Sequence, residues 1–114
     1  MLSNLQTNFD KIVLLDIHGM RADRSYKIEL GTCYHKAIKD MNIFDIIHDT
    51  LSERYTVTSN NQFLGEYITR YYGKFDKVNA VQIEIRKDLR ELDTVDETAK
   101  CLAKMIIELI KYIQ

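Results

Sequence analysis

The chain has 114 residues, 46% of them hydrophobic and 29% charged, which suits one ordinary core and leaves no room for a second domain, so residues 1–114 read as a single domain. Sixteen Lys and Arg against seventeen Asp and Glu leave a formal charge of −1, which supplies no field for wrapping nucleic acid or gripping an anionic membrane. Cys33 and Cys101 are too few for a stapled secreted scaffold and lack the short spacing of a zinc knuckle, so two reduced, buried thiols in a cytoplasmic protein are expected. Residues 1–10 show no basic leader region, and the apolar run 12–15 is too short for a signal core or a membrane span.

The chain has no proline and four glycines, hence no Pro/Gly/Ser linker. Residues 11–19 form a short continuous apolar run ending in polar residues, the pattern of a parallel strand buried on both faces, with the strand expected over 12–17. A polar, basic loop over 20–25 precedes a short strand over 26–30, stopped by Gly31. Residues 34–54 read as helical, with Ile43, Ile46, Ile47 and Leu51 near one face and a break near Met41-Asn42. The β-branched and aromatic residues 55–58 predict a second core strand, closed by a loop over 59–62.

A short helix ending at Gly73 fits residues 65–73. Residues 78–86 alternate, with Val81, Ile83 and Ile85 on one face and Gln82, Glu84 and Arg86 on the other, and form the most legible strand. The last element is a helix over 95–113, opened by the capping-box pair Thr94 and Glu97 and carrying an apolar stripe from Ala99 to Ile113. Strands separated by helical segments give an α/β, three-layer arrangement with a mostly parallel or mixed sheet flanked by helices.

In open α/β sheets ligands bind at the carboxyl ends of strands. Asp16 and His18 sit on one side of the first strand near its end, and Glu84, with Gln82 two residues before it, puts a carboxylate into an otherwise apolar or amide strand. A buried carboxylate there needs a partner. Read singly, His18 is more simply a hydrogen-bonded structural residue and Glu84 a solvated or salt-bridged one.

The runs Leu14-Leu15-Asp16-Ile17-His18-Gly19-Met20, Ile28-Glu29-Leu30-Gly31-Thr32, Asn61 through Gly73, and Ala80-Val81-Gln82-Ile83-Glu84-Ile85-Arg86 together resemble the N-formylglutamate amidohydrolase family, specifically its C-terminal half. The resemblance spans about residues 12–92 and includes all four glycines. It implies a zinc hydrolase with a carboxypeptidase-like or aspartoacylase-like α/β fold. His18 matches a zinc ligand, Asp16 the carboxylate that orients a neighbouring ligand with Gln82 in a similar supporting place, and Glu84 the general base.

Arg70 is the residue matched to a substrate carboxylate because a guanidinium offers a two-pronged fork. Arg21, Arg24 and Arg86 compete for that role, and a plain surface charge accounts for Arg70 equally well. The family's other two ligands, a His and a Glu close together, have no counterpart in residues 1–11, and neither His35, His48 nor Cys33 matches a family ligand. Gly19 replaces the family's usual Ser, and Leu64-Gly65 its usual Gly-Gly.

Zinc is therefore expected from the resemblance yet not retained by this chain alone, since a hydrolytic zinc is held by three protein ligands. The implied substrate is a small acidic N-acyl amino acid, and the implied protein partner is an N-terminal fragment that supplies the missing ligands or, alternatively, further copies in a homo-oligomer. The alternative is a catalytically silent relative that binds a small ligand or a protein.

Overall fold

The computed structural model describes residues 9–114. The polar segment before them lies outside the described residues. In chain order the elements are β1 (Ile12–Met20), β2 (Ile28–Gly31), α1 (Met41–Ser52), β3 (Val57–Ser59), α2 (Tyr67–Tyr72), β4 (Val78–Arg86), a 3-10 turn (Lys87–Leu89) and α3 (Val95–Ile113). The four strands lie in the order β1-β4-β2-β3. β1 runs parallel to β4 and β3 parallel to β2, while β2 and β4 are antiparallel, so the sheet is mixed.

β4 organises the molecule because its alternation feeds two layers at once. Val81, Ile83 and Ile85 enter the main core with Ile43, Ile47 and Leu51 of α1 and Met105 and Leu109 of α3. Each such side chain contributes about 1.5–3 kcal/mol when fully buried. On the opposite face Val78 and Ala80 pack with Ala37, Tyr72 and Phe75, which brings α2 over that side. Further along that second face come Gln82 and Glu84, also buried.

Several expectations are corrected. β1 is an edge strand, half-buried along most of its length with Ile17 49% exposed, because only β4 lies beside it; its apolar run had suggested burial on both faces. It also continues past His18 to Met20, and β2 starts and ends later than expected, at Ile28 and Gly31. The helix expected over 34–54 is confined to Met41–Ser52. The turn before it places Cys33, Tyr34 and His35 in the left-handed region and is tied down when Asn79 Oδ1 accepts from the Lys39 and Asp40 amides, with Asp40 capping the helix through Asn42.

The expected second core strand is the short outer strand β3, three half-buried residues at the other edge of the sheet. Thr94 does cap α3 by position, but its hydroxyl donates to the Asp88 carbonyl at 2.6 Å, so no capping box forms. Gly73 ends α2 with φ −65°, so left-handed freedom is not its use. A Cβ there would lie 2.5 Å from Ala37 Cβ and 2.7 Å from the Thr69 carbonyl oxygen, so close packing requires the glycine. Of the two thiols, Cys101 is buried and Cys33 only half-buried.

Candidate active site

The parallel register pairs Asp16 with Gln82 and His18 with Glu84. Paired residues on neighbouring strands point to one face, and residues two apart share it, so Asp16, His18, Gln82 and Glu84 converge on the face opposite α1 and α3. The antiparallel partner β2 adds Glu29, which pairs with Glu84 on the other side.

Glu84 is 3% exposed and Gln82 fully buried. Gln82 bridges two elements: its Nε2 donates to Glu84 Oε2 at 2.6 Å, and its Oε1 accepts from the Glu66 amide at 2.5 Å. Burial pushes the Glu84 carboxyl above its ordinary value; the Gln82 hydrogen bond and the nearby His18 pull it down, while the charges of Glu66 and Glu29 push it further up. Such a carboxyl holds a proton more readily than an exposed one and is suited to carry it between groups. Glu29 does different work, its Oε2 accepting from the Asn61, Gln62 and Phe63 amides at 3.0, 2.6 and 2.6 Å and pinning the loop that leads to Glu66.

His18 Nε2 lies 2.9 Å from Asp16 Oδ1, with the imidazole 40% and the carboxylate 12% exposed. The contact lacks hydrogen-bond alignment, and His18 Nε2 and Asp16 Oδ2 both stay buried without a hydrogen-bond partner. These two atoms are where a water or a cation would satisfy the pair. Among the described residues no group of three or more His, Cys, Asp or Glu side chains could hold a metal ion, so His18 and Asp16 do not by themselves fit a hydrolytic zinc.

Residues 1–90 match the family model described as N-formylglutamate amidohydrolase. The chain belongs to the N-formylglutamate amidohydrolase family. Its fold is similar to the crystal structure of N-formylglutamate amidohydrolase from Ralstonia eutropha JMP134, with a TM-score of 0.87 at 20% identity. The match covers 98% of this chain and 47% of that one, so this member of the family spans about half the length of that structure. No curated protein matches it.

The other candidates each have partners or surroundings of their own. Arg21 pairs with Asp23 at 2.5 Å on the surface. Arg24 bonds Gln62 Oε1 and lies over the Phe63 ring, and Arg86 is held by Asp88 at 2.7 Å and by the Arg24 carbonyl at 2.9 Å. Arg70 sits on α2 beside a cleft lined also by Cys33, Tyr34, Ala37 and Gly65. His35 Nδ1 is 3.0 Å from Thr32 Oγ1, and His48 Nδ1 is 3.1 Å from Asp49.

Sequence reasoning missed Glu29, although its signal matches that of Glu84: a carboxylate inside a short apolar strand. It also left Gly19 unexplained. A Cβ there would sit 2.6 Å from the Arg90 guanidinium carbon, and that group crosses the strand ends to donate to the Met20 and Ile85 carbonyls, each at 3.1 Å.

Proposed function

We propose that the chain forms the proton-handling part of an amide hydrolase acting on a small acidic N-acyl amino acid such as an N-formyl amino acid. The observation that carries this reading is the buried Glu84 carboxyl, oriented by Gln82 and facing His18 across the β1–β4 pair. In this role Glu84 takes a proton from the water that attacks the acyl carbon and delivers it to the departing amine nitrogen. Gln82 presents one carboxylate oxygen and leaves the other to work, while the Asp16 carboxylate lies beside the His18 ring.

In such hydrolases a bound zinc supplies the polarisation of the water. His18 is the residue of this chain that would contribute a ligand, and the remaining ligands have to come from a partner fragment or another segment. A catalytically silent relative that binds a small ligand is the competing reading, favoured by the short donor set.

Deformylation of N-formyl-L-glutamate by the 114-residue chain, measured with added zinc and with chelator, tests both readings. The chain alone is expected to turn over poorly or not at all. A partner that supplies the missing ligands should restore a zinc-dependent rate that Glu84→Gln abolishes. A robust chelator-sensitive rate from the chain alone would overturn the ligand argument, and a restored rate indifferent to Glu84→Gln would overturn the role of Glu84.

A further inference from the structure

β1 is nine residues long and, among the described residues, pairs with β4 alone. The Ile12 amide donates toward β4, to the Lys77 carbonyl at 2.9 Å, so by alternation the main-chain groups of Val13, Leu15, Ile17 and Gly19 point out of the sheet. Natural sheets guard such an edge with a bulge, a proline or lysines. This strand carries none of the three: its register with β4 runs unbroken from Ile12 to Met20, and its only ionisable side chains are Asp16 and His18.

The helix layer beside this edge is open as well. α1 packs on β3 at the far side of the sheet and on α3, which sets α3 toward β1. Glu97, Lys104 and Tyr112 turn toward α1, pairing with Arg54, Glu53 and Asn42. On the opposite flank of α3 the helical repeat brings together Val95, Ala99, Leu102, Ile106, Ile110 and Ile113, all of them apolar. Ile106 and Ile110 are 40% and 45% exposed, while Leu102 and Ile113 reach the core cluster that also receives Val13 and Leu15. Ile17 lies on the same face of β1 as Val13 and Leu15 and adds its exposed side chain to this surface.

We propose that the β1 edge and the apolar flank of α3 are the interface with a second copy of this chain, the two β1 strands pairing antiparallel about a two-fold axis at Ile17 and joining two sheets into one. In that register Ile17 meets the partner's Ile17, and Leu15 the partner's Gly19, in hydrogen-bonded pairs, which uses the main-chain groups that point outward. Asp16 then stands opposite the partner's His18, and His18 opposite the partner's Asp16, in the closer non-hydrogen-bonded pairs. This charge complementarity selects both register and occupant. Centring the axis on Asp16 or on His18 would oppose like residues, and centring it on Leu15 would set Asp16 against Leu14. The same pairing brings a polar group to the buried Asp16 Oδ2 and His18 Nε2, neither of which has a hydrogen-bond partner within the chain. On the other face the two α3 flanks cover each other across the axis. The partner's Asp16 thereby enters the face that carries Glu84, and the pairing stands whether or not the chain is a hydrolase.

Sedimentation velocity of the 114-residue chain from micromolar to millimolar concentration tests the proposal, with amide hydrogen exchange on the same samples. A reversible dimer is expected. Ile17→Lys, at an exposed position, sets two ammonium groups against each other at the axis and should weaken the dimer at least about tenfold, as should Ile106→Glu on the α3 flank. Ile107→Glu, on the outer face of α3, should leave it unchanged. In the dimer the Leu15, Ile17 and Gly19 amides should be protected from exchange and lose that protection in Ile17→Lys, while the Asp16 and His18 amides, which point at β4, stay protected in both; this also shows that the variant is folded. In a Cys33→Ser background a short bismaleimide should join two chains through Ile17→Cys and not through Ile107→Cys. A monomer at millimolar concentration, a dimer indifferent to Ile17→Lys and Ile106→Glu, or a dimer that Ile17→Cys does not cross-link would each overturn the assignment. Outward amides protected in a monomer would overturn it too, by showing that another part of the same chain covers the edge.

Discussion

Replacing Gln82 with leucine isolates the contact on which the site rests. The substitution keeps nearly the same volume in a fully buried position but removes two hydrogen bonds, to Glu84 Oε2 at 2.6 Å and from the Glu66 amide at 2.5 Å. A bond to a charged group contributes about 1.5–3 kcal/mol and a neutral one about 0.5–1.5 kcal/mol, so the expected loss at neutral pH is about 2–4 kcal/mol. The loss should depend on pH with a definite sign.

Glu84 is raised in the folded state, so between the ordinary glutamate value and its folded value the native state binds more proton than the unfolded chain, and stability falls as pH rises through that window. Gln82 opposes the rise by favouring the charged form; its removal raises Glu84 further and extends the falling limb to higher pH, at most about 1.4 kcal/mol per pH unit for one proton. Urea unfolding of wild type, Gln82→Leu, Glu84→Leu and the double variant across pH 4 to 8, a range set around the glutamate window, gives the coupling directly. The account expects a coupling energy that grows from acid to neutral pH. Additive effects, or a Gln82→Leu loss flat with pH, would refute it.

Gly73→Ala should destabilise by about 1–3 kcal/mol through overpacking, because its Cβ would meet Ala37 Cβ at 2.5 Å, and Ala37→Gly in the same chain should recover part of the loss in urea melts. A Gly73→Ala variant as stable as wild type would mean that the α2 contact is looser than described. Glu29→Gln should cost about 1–3 kcal/mol by weakening the three amide bonds to one oxygen and should speed amide hydrogen exchange at Asn61, Gln62 and Phe63. Unchanged exchange at those three amides would show that Glu29 does not pin the loop.

How far the sequence could be read depended on whether a pattern was local. β4 was legible because its two-residue alternation is imposed by the strand itself, and α3 because its apolar stripe repeats at helical spacing along most of a nineteen-residue helix. The place of β1 at the sheet edge was not legible, since an apolar run does not say how many neighbours a strand has. The 33–37 turn failed for a different reason. Its left-handed residues are Cys, Tyr and His, with no glycine to signal them, and it is held by Asn60 and Leu64, distant in sequence.

The site was readable in its pairing of His18 with Glu84, because both carry chemistry on strands whose face follows from alternation. Arg70 was chosen for its chemistry alone, and nothing in its spacing indicated that α2 would hold it beside a cleft walled by the 33–37 turn.

The most direct measurement is the titration of the Glu84 side-chain carboxyl by carbon-detected NMR in wild type and in His18→Gln. Burial predicts a midpoint above that of an ordinary glutamate, and removal of the His18 charge, which favours ionised Glu84, predicts a further upward move. An ordinary midpoint that His18→Gln leaves unchanged would show that the two residues do not form one site.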